Sequence, residues 1–369
     1  MLGRLKFEID DFVNEILDMY PEELWTSDST TFLDPSMGGG QYIRAIEKRL
    51  KDAGHSDANI ASRVFGFESN PMRVNFARNK YKTLGTYFNK NFLEEEFQDK
   101  FDVVVCGPQF QRSNASDRMG SRGATSIWDL FVTKGLELLK PNGYMTFVHP
   151  PAWRKPNDRY GLWKELTQKN QMLFLKMRHG RNEQDVFKRG NRFDYYIVKK
   201  TPKFTTTRVV DHEDKTYDLD LSKFDWLPNY AIDEIVEMLD NGDVLYNTFY
   251  HTQHDHKNEQ TDEYCYPVVH TINKEGLGIK YFKKKETNIH FGVPKVLLNQ
   301  NELQYPVNDY KGEYGMSQLT FGIPISSKEE GDKIVEFLNS EKGKRIIAAT
   351  KWNTYYTDYN MFYDLKISG

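Results

Sequence analysis

Two short segments of this chain carry residue types that could do chemistry. The first is Asp34-Pro35-Ser36-Met37-Gly38-Gly39-Gly40, directly after the apolar run Thr31-Phe32-Leu33. Its glycines let the backbone approach a ligand, and the N-terminus of a following helix favours a ligand carboxylate. Glu68 closes the next apolar run, Val64-Phe65-Gly66-Phe67. An acid there can accept hydrogen bonds from both ribose hydroxyls of a nucleoside cofactor. Each feature alone also fits a tight connection or a solvated, helix-capping glutamate; together they favour a cofactor. The second segment is Phe101-Asp102-Val103-Val104-Val105-Cys106-Gly107-Pro108-Gln109-Phe110. There a β-branched run stops abruptly in a Gly-Pro turn capped by an aromatic ring.

Such loops need strands and helices to place them. Apolar positions at helical spacing (Ile9, Phe12, Val13, Ile16, Leu17, Tyr20) predict a helix over 8–20, stopped by Pro21. A strand at 31–33 and a helix over 41–53, ended by Gly54, follow. Strands are expected at 64–67, 86–88 and 101–106, with a helix from Pro71 to about Lys82 between the first two. A polar loop over 111–126, a helix over 127–139 and a strand over 144–148 come next. Residues 172–177 and 193–199 read as a hairpin around a polar insert. Strands alternating with helices at this spacing predict a doubly wound, mostly parallel sheet with an antiparallel edge pair. After Pro202 the alternation is lost, and the remainder reads as a second, α+β domain.

Several segments together carry a resemblance. They are Phe12-Val13-Asn14-Glu15-Ile16-Leu17, Tyr20-Pro21-Glu22-Glu23-Leu24-Trp25 and Phe32 to Gly40. Further along are Phe65-Gly66-Phe67-Glu68, Asn91-Phe92-Leu93, Phe101 to Phe110, Leu138 to Tyr144, and His149-Pro150-Pro151-Ala152-Trp153. The chain resembles adenine-N6 DNA methyltransferases of restriction-modification systems, in the order that puts target recognition last. The resemblance covers about residues 8–200 and, more diffusely, the rest. It implies an α/β, Rossmann-like methyltransferase sheet over 1–202 and a C-terminal α+β target-recognition, DNA-binding domain over 203–369. It implies S-adenosylmethionine as cofactor, with Asp34, Met37, Gly38 and Gly40 touching it, Glu68 on its ribose, and Asn91 and Phe92 at its adenine. Asn91 stands where many members have Asp; both can accept from the exocyclic amine.

The resemblance assigns the catalytic loop to Gly107, Pro108, Gln109 and Phe110, where the family has Asn-Pro-Pro-Phe or Tyr. Adenine N6 is a poor nucleophile because its lone pair is delocalised into the ring. The family answers with two acceptors, the Asn side-chain oxygen and the following Pro carbonyl, while the aromatic stacks on the flipped base. Gly107 offers no such side chain, and losing one preorganised group costs about 10²–10³ in rate. Either the loop is degenerate, with reduced or lost catalysis, or the Gln109 amide substitutes. The alternative function is a non-catalytic DNA- or partner-binding homologue. Arg112, Arg118 and Arg122, just after the turn, are the candidate DNA contacts. The implied partners are double-stranded DNA with a flipped adenine and a companion nuclease or other subunit.

Bulk properties limit the remaining classes. The 369 residues suffice for two domains, each with its own core. Fifty basic against 53 acidic residues give a net charge of −3, so DNA binding requires local basic patches rather than a global field. Two cysteines, Cys106 and Cys265, make neither a disulfide framework nor a zinc quartet and suit a reducing cytosol. No signal peptide and no run of roughly 18 apolar residues is present, so a cytoplasmic, DNA-associated protein without a membrane span is expected. Aromatics at 14% serve first as core and second as stacking surfaces. Cys106 sits before the turn, at a core position rather than that of a cytosine-C5 nucleophile. His251, His254 and His256 read as a solvated loop rather than a metal site, and none is expected. Lys283-Lys284-Lys285 reads as a solvated turn, with phosphate contact as its functional alternative.

Overall fold

The computed structural model describes residues 9–98, 100–107, 127–156, 160–178, 192–239, 245–246, 256–283, 289–300, 304–352 and 358–366. The chain divides into two compact units: residues up to Trp153 with 158–225, and Arg154–Asn157 with the chain from Trp226 onward.

Among the described residues the first unit is built on a nine-stranded sheet. Its strands are β1 (Phe32–Asp34), β2 (Val64–Phe67), β3 (Thr86–Phe88), β4 (Phe101–Cys106), β5 (Leu139–His149), β6 (Gln171–Arg178), β7 (Phe193–Lys199), β8 (Thr207–Val210) and β9 (Thr216–Leu219). Their order is β3-β2-β1-β4-β5-β7-β6-β8-β9. The half from β3 to β5 is wholly parallel. β7 runs antiparallel to both β5 and β6, and β8 returns parallel to β6. The order reverses at β1, which lies between β2 and β4. In open α/β sheets ligands bind outside the carboxyl ends of the strands at such a point.

The helices form where the apolar spacing predicts, with local caps. Helix Gln41–Asp52 buries Tyr42, Ile43, Ile46 and Leu50 on one face. Helix Pro71–Tyr81 starts at a proline that needs no hydrogen-bond acceptor there, and the Asn70 side chain accepts from the Met72 amide at 3.0 Å. Helix Trp128–Leu138 packs behind β4 and β5. Phe12, Ile16 and Leu17 from the first helix, Ile9–Leu17, join Ile43, Ile46, Val103 and Val105 in one core. Each such side chain contributes about 1.5–3 kcal/mol on burial. Buried polar groups tie the strand ends to this core. Glu47, on helix Gln41–Asp52, accepts from the Leu84 and Gly85 amides (2.9 and 2.8 Å) and from the Tyr87 hydroxyl (3.0 Å), which fixes the start of β3.

The structure differs from the sequence expectations in several places, one being β5, which begins at Leu139 rather than at 144. A further helix, Asp57–Arg63, is capped by Ser56 and leads directly into β2. The antiparallel pair β6–β7 is not at the sheet edge, because β8 and β9 continue the sheet beyond it. Those two strands lie within 203–225, so the first unit extends through Asp225 instead of stopping at 202. The polar Thr- and Asp-rich composition of that stretch hides a short hairpin whose side chains alternate between buried or half-buried and exposed.

The second unit, among its described residues, holds two four-stranded sheets. One contains Lys295–Asn299 and Thr320–Pro324, covered by helices Lys328–Asn339 and Glu341–Ala349 through Val296, Phe321, Ile334, Leu338, Ile346 and Trp352. The segment Arg154–Asn157 is embedded here. Arg154 is fully buried and donates to the carbonyls of Leu227 (2.8 Å) and Pro228 (3.1 Å) and to the Asn229 side chain (3.0 Å).

Candidate functional site

The loop after β1 is held in a tight, left-handed path. Gly38 and Gly40 have φ of +56° and +85°, a region open to glycine at little cost. The Gly40 amide donates to the Met37 carbonyl (2.7 Å), and the Met37 amide donates to the Phe67 carbonyl (2.9 Å), stitching the loop to the end of β2. A Cβ on Gly40 would come within 2.9 Å of the Ala77 Cβ, so this glycine also permits close approach of helix Pro71–Tyr81. Met37 turns inward across Gly66 and is buried.

Asp34 ends β1 and is buried, accepting from the Ser36 amide at 3.0 Å. Burial pushes its carboxyl up to about 8, with the nearby Glu68 carboxylate adding to the rise and the Ser36 bond opposing it. Glu68, just past β2, is also buried. It accepts from the Asn70 amide at 2.8 Å and lies 3.5 Å from the Arg73 guanidinium. Two carboxylates thus meet at adjacent strand ends.

A cleft of about 580 Å³ opens at this edge. Its lining includes Pro35 and Ser36 from the loop, Glu68, Asn91 and Phe92, and Leu130 and Phe131 from helix Trp128–Leu138. Phe92 opens a single 3₁₀ turn, Phe92–Glu94, and stacks on Phe131 with ring centres 5.7 Å apart. Phe67 packs edge-on to Phe92 at 5.7 Å. Lys134 donates to the Phe92 carbonyl (2.7 Å) and the Glu95 carbonyl (2.5 Å), fastening the turn to that helix. The cleft therefore combines aromatic and aliphatic walls with the carboxylates of Glu68 and Glu94 and the ammonium of Lys90. Such a surface suits a ligand with a flat ring at one end and hydroxyls within reach of Glu68.

Of the residues singled out in the sequence, Glu68, Asn91 and Phe92 share this cleft, and Asp34 lies buried at the end of β1 next to its loop. Met37, Gly38 and Gly40 are not on its lining; they shape the loop. Pro35 and Ser36, from the same loop, are on it; Glu94, Ile127, Leu130 and Phe131 are too but carried no sequence signal of their own, except that Glu94 adjoins the Asn91-Phe92-Leu93 motif.

Gly107 is exposed at the end of β4, and a Cβ built on it meets no atom of the described residues within 4 Å. Pro108, Gln109, Phe110, Arg112, Arg118 and Arg122 lie outside the described residues, as do His251, His254, Lys284 and Lys285. His256 packs against the Phe282 ring. Cys106 is buried, and desolvation together with Asp34 pushes its thiol well above the usual range, opposite to what a nucleophile needs. Among the described residues no group of His, Cys, Asp and Glu is placed to hold a metal ion, and no helix is long and apolar enough to cross a membrane.

Several solved structures align with this chain. The type IIL restriction-modification enzyme MmeI, in complex with DNA, aligns over 98% of this chain and 63% of its own, at 11% identity and a TM-score of 0.51. The type IIG restriction endonuclease BpuSI aligns over 100% and 59%, at 9% identity and a TM-score of 0.48. A putative class I S-adenosylmethionine-dependent methyltransferase from Listeria monocytogenes aligns over 55% and 64%, at 17% identity and a TM-score of 0.43. This chain thus spans less than two thirds of each of these proteins. No curated protein matches the sequence. The fold is a mixed α/β architecture with a large, mostly parallel sheet, which MmeI shares. Residues 41–187, which include Glu68, Asn91, Phe92 and Gly107, match the family described as Eco57I restriction-modification methylase.

Proposed function

We propose that this chain is an S-adenosylmethionine-dependent DNA methyltransferase of a restriction-modification system, acting on adenine N6. The observation that carries the reading is the cleft at the reversal point of the sheet, with Glu68, Asn91 and Phe92 on one lining. Its residues fit the cofactor. On this reading Glu68 accepts from the ribose hydroxyls, and the apolar wall to which Phe92 and Phe131 belong flanks the adenine. Asp34, pushed up to about 8 beside Glu68, suits a ligand that brings positive charge to the two carboxylates. The bound cofactor supplies the electrophilic methyl group.

On this reading Pro108 presents its carbonyl to the target amine and Phe110 stacks on the flipped base, while Gly107 withholds the second acceptor. Arg112, Arg118 and Arg122 contact DNA phosphates, and the second unit reads the target sequence. The second reading, a non-catalytic DNA- or partner-binding homologue, is favoured by Gly107 alone.

Calorimetric titration with S-adenosylmethionine, beside tritiated methyl transfer to mixed-sequence DNA, tests both. Binding that weakens about tenfold or more in Asp34→Ala and in Glu68→Ala, with melting cooperativity kept, supports the cofactor site. Equal affinity in both variants removes it. Binding without any transfer favours the non-catalytic homologue.

A further inference from the structure

Asn91 and Glu94, both on the lining of the cleft, are joined by a hydrogen bond within one short turn. The Asn91 amide is oriented from both of its ends. Its oxygen accepts from the Leu93 amide at 3.2 Å, and its nitrogen donates to the Glu94 carboxylate at 2.7 Å. A backbone N–H can only donate and a carboxylate can only accept, so turning the amide over would break both bonds. The Asn91 oxygen is therefore directed back into its own turn. Glu94 lines the cleft, and a carboxylate has capacity for more than the one bond it takes from Asn91. Phe92, next to Asn91, is buried with its ring stacked on Phe131, and Lys134 holds its carbonyl, which fixes the turn that carries Asn91 and Glu94.

We infer that Glu94, held in place by Asn91, is the acceptor that selects a purine with an exocyclic 6-amine over one with a 6-carbonyl. This rests on the cofactor reading above and deepens it: Asn91 is a positioning residue, and Glu94 determines specificity. A 6-amine donates to the carboxylate. A 6-carbonyl would set two acceptors against each other, with like partial charges and no proton between them.

The test is calorimetric titration of the full chain with S-adenosylhomocysteine and with S-inosylhomocysteine. The wild type is expected to bind the adenosyl compound about tenfold or more tightly than the inosyl compound, the scale of one hydrogen bond to a charged group. Glu94→Ala should bring that ratio close to one by weakening the adenosyl compound alone. Glu94→Gln provides a sharper reading. Its oxygen still accepts from Asn91, which turns its amide nitrogen to the cleft, so the preference should shift toward the inosyl compound. Glu94 is exposed, and both variants should melt as the wild type does. A wild-type ratio that persists in Glu94→Ala and Glu94→Gln overturns the inference and leaves the cofactor site standing. A wild type that binds neither compound overturns the cofactor reading, and this inference with it.

Discussion

Asp34 shows how a single residue can oppose the fold that contains it. The unfolded chain releases this proton near the ordinary 3.8, whereas the folded chain keeps it up to about 8. The folded state therefore holds the extra proton across that window, and this contribution to stability is complete below the lower value and lost as pH rises through the upper one. Asp34→Asn removes the dependence. Between about pH 5 and about pH 8 the wild type should lose several degrees of melting temperature relative to the variant, and a constant difference would sink the assignment. Gly107 makes the converse case. Since no described residue lies within 4 Å of its Cβ position, Gly107→Asn meets no obstacle from them. Together with Gln109→Pro it should raise adenine methylation by about 10²–10³ in a transfer assay. If Gln109 is instead the working acceptor, Gln109→Pro alone lowers the rate and Gly107→Asn alone helps little.

The strands of the parallel half were legible because each is an apolar run bounded by Gly, Pro or an acid. The site went with them as far as its residues sit at those boundaries: Glu68 after Phe67, Asn91 and Phe92 after β3. Leu130 and Phe131 were not legible, because they share an apolar helix with residues that face the core, and sequence does not say which ring faces a cleft. Helix Asp57–Arg63 escaped because it is short and buries only Ile60 and Arg63. The resemblance puts Met37 at the cofactor; in the structure its side chain is buried and packs across β2. The partner that receives it is Gly66 on β2, where an added Cβ would stand 2.5 Å from the Met37 sulfur and 3.1 Å from the Tyr87 ring. Gly66→Ala should cost about 1–3 kcal/mol of overpacking, read by chemical denaturation. It should also weaken cofactor binding, because the loop after β1 is anchored through Met37.

At the scale of the whole molecule, the two units are not consecutive in sequence. Arg154–Asn157 belongs to the second unit although the chain on either side belongs to the first. Arg154 is buried among carbonyls at Leu227 and Pro228, and Leu227 also accepts from the Trp352 indole at 3.0 Å. Removing the guanidinium takes a donor from the oxygens of Leu227, Pro228 and Asn229 at once, while Leu227 keeps the Trp352 bond. Arg154→Ala should therefore destabilise the protein by about 3 kcal/mol or more, seen as a lowered unfolding midpoint. A truncation after residue 225 should behave worse than that variant, since it leaves the buried arginine itself without these partners. The same interleaving governs how the second unit can be inherited. A tail joined at one point can be exchanged between related genes by a single crossover, but this one is spelled in two places. Any recombinant that acquires a foreign stretch from 226 onward must also acquire its matching 154–157, or find an arginine that suits both parents.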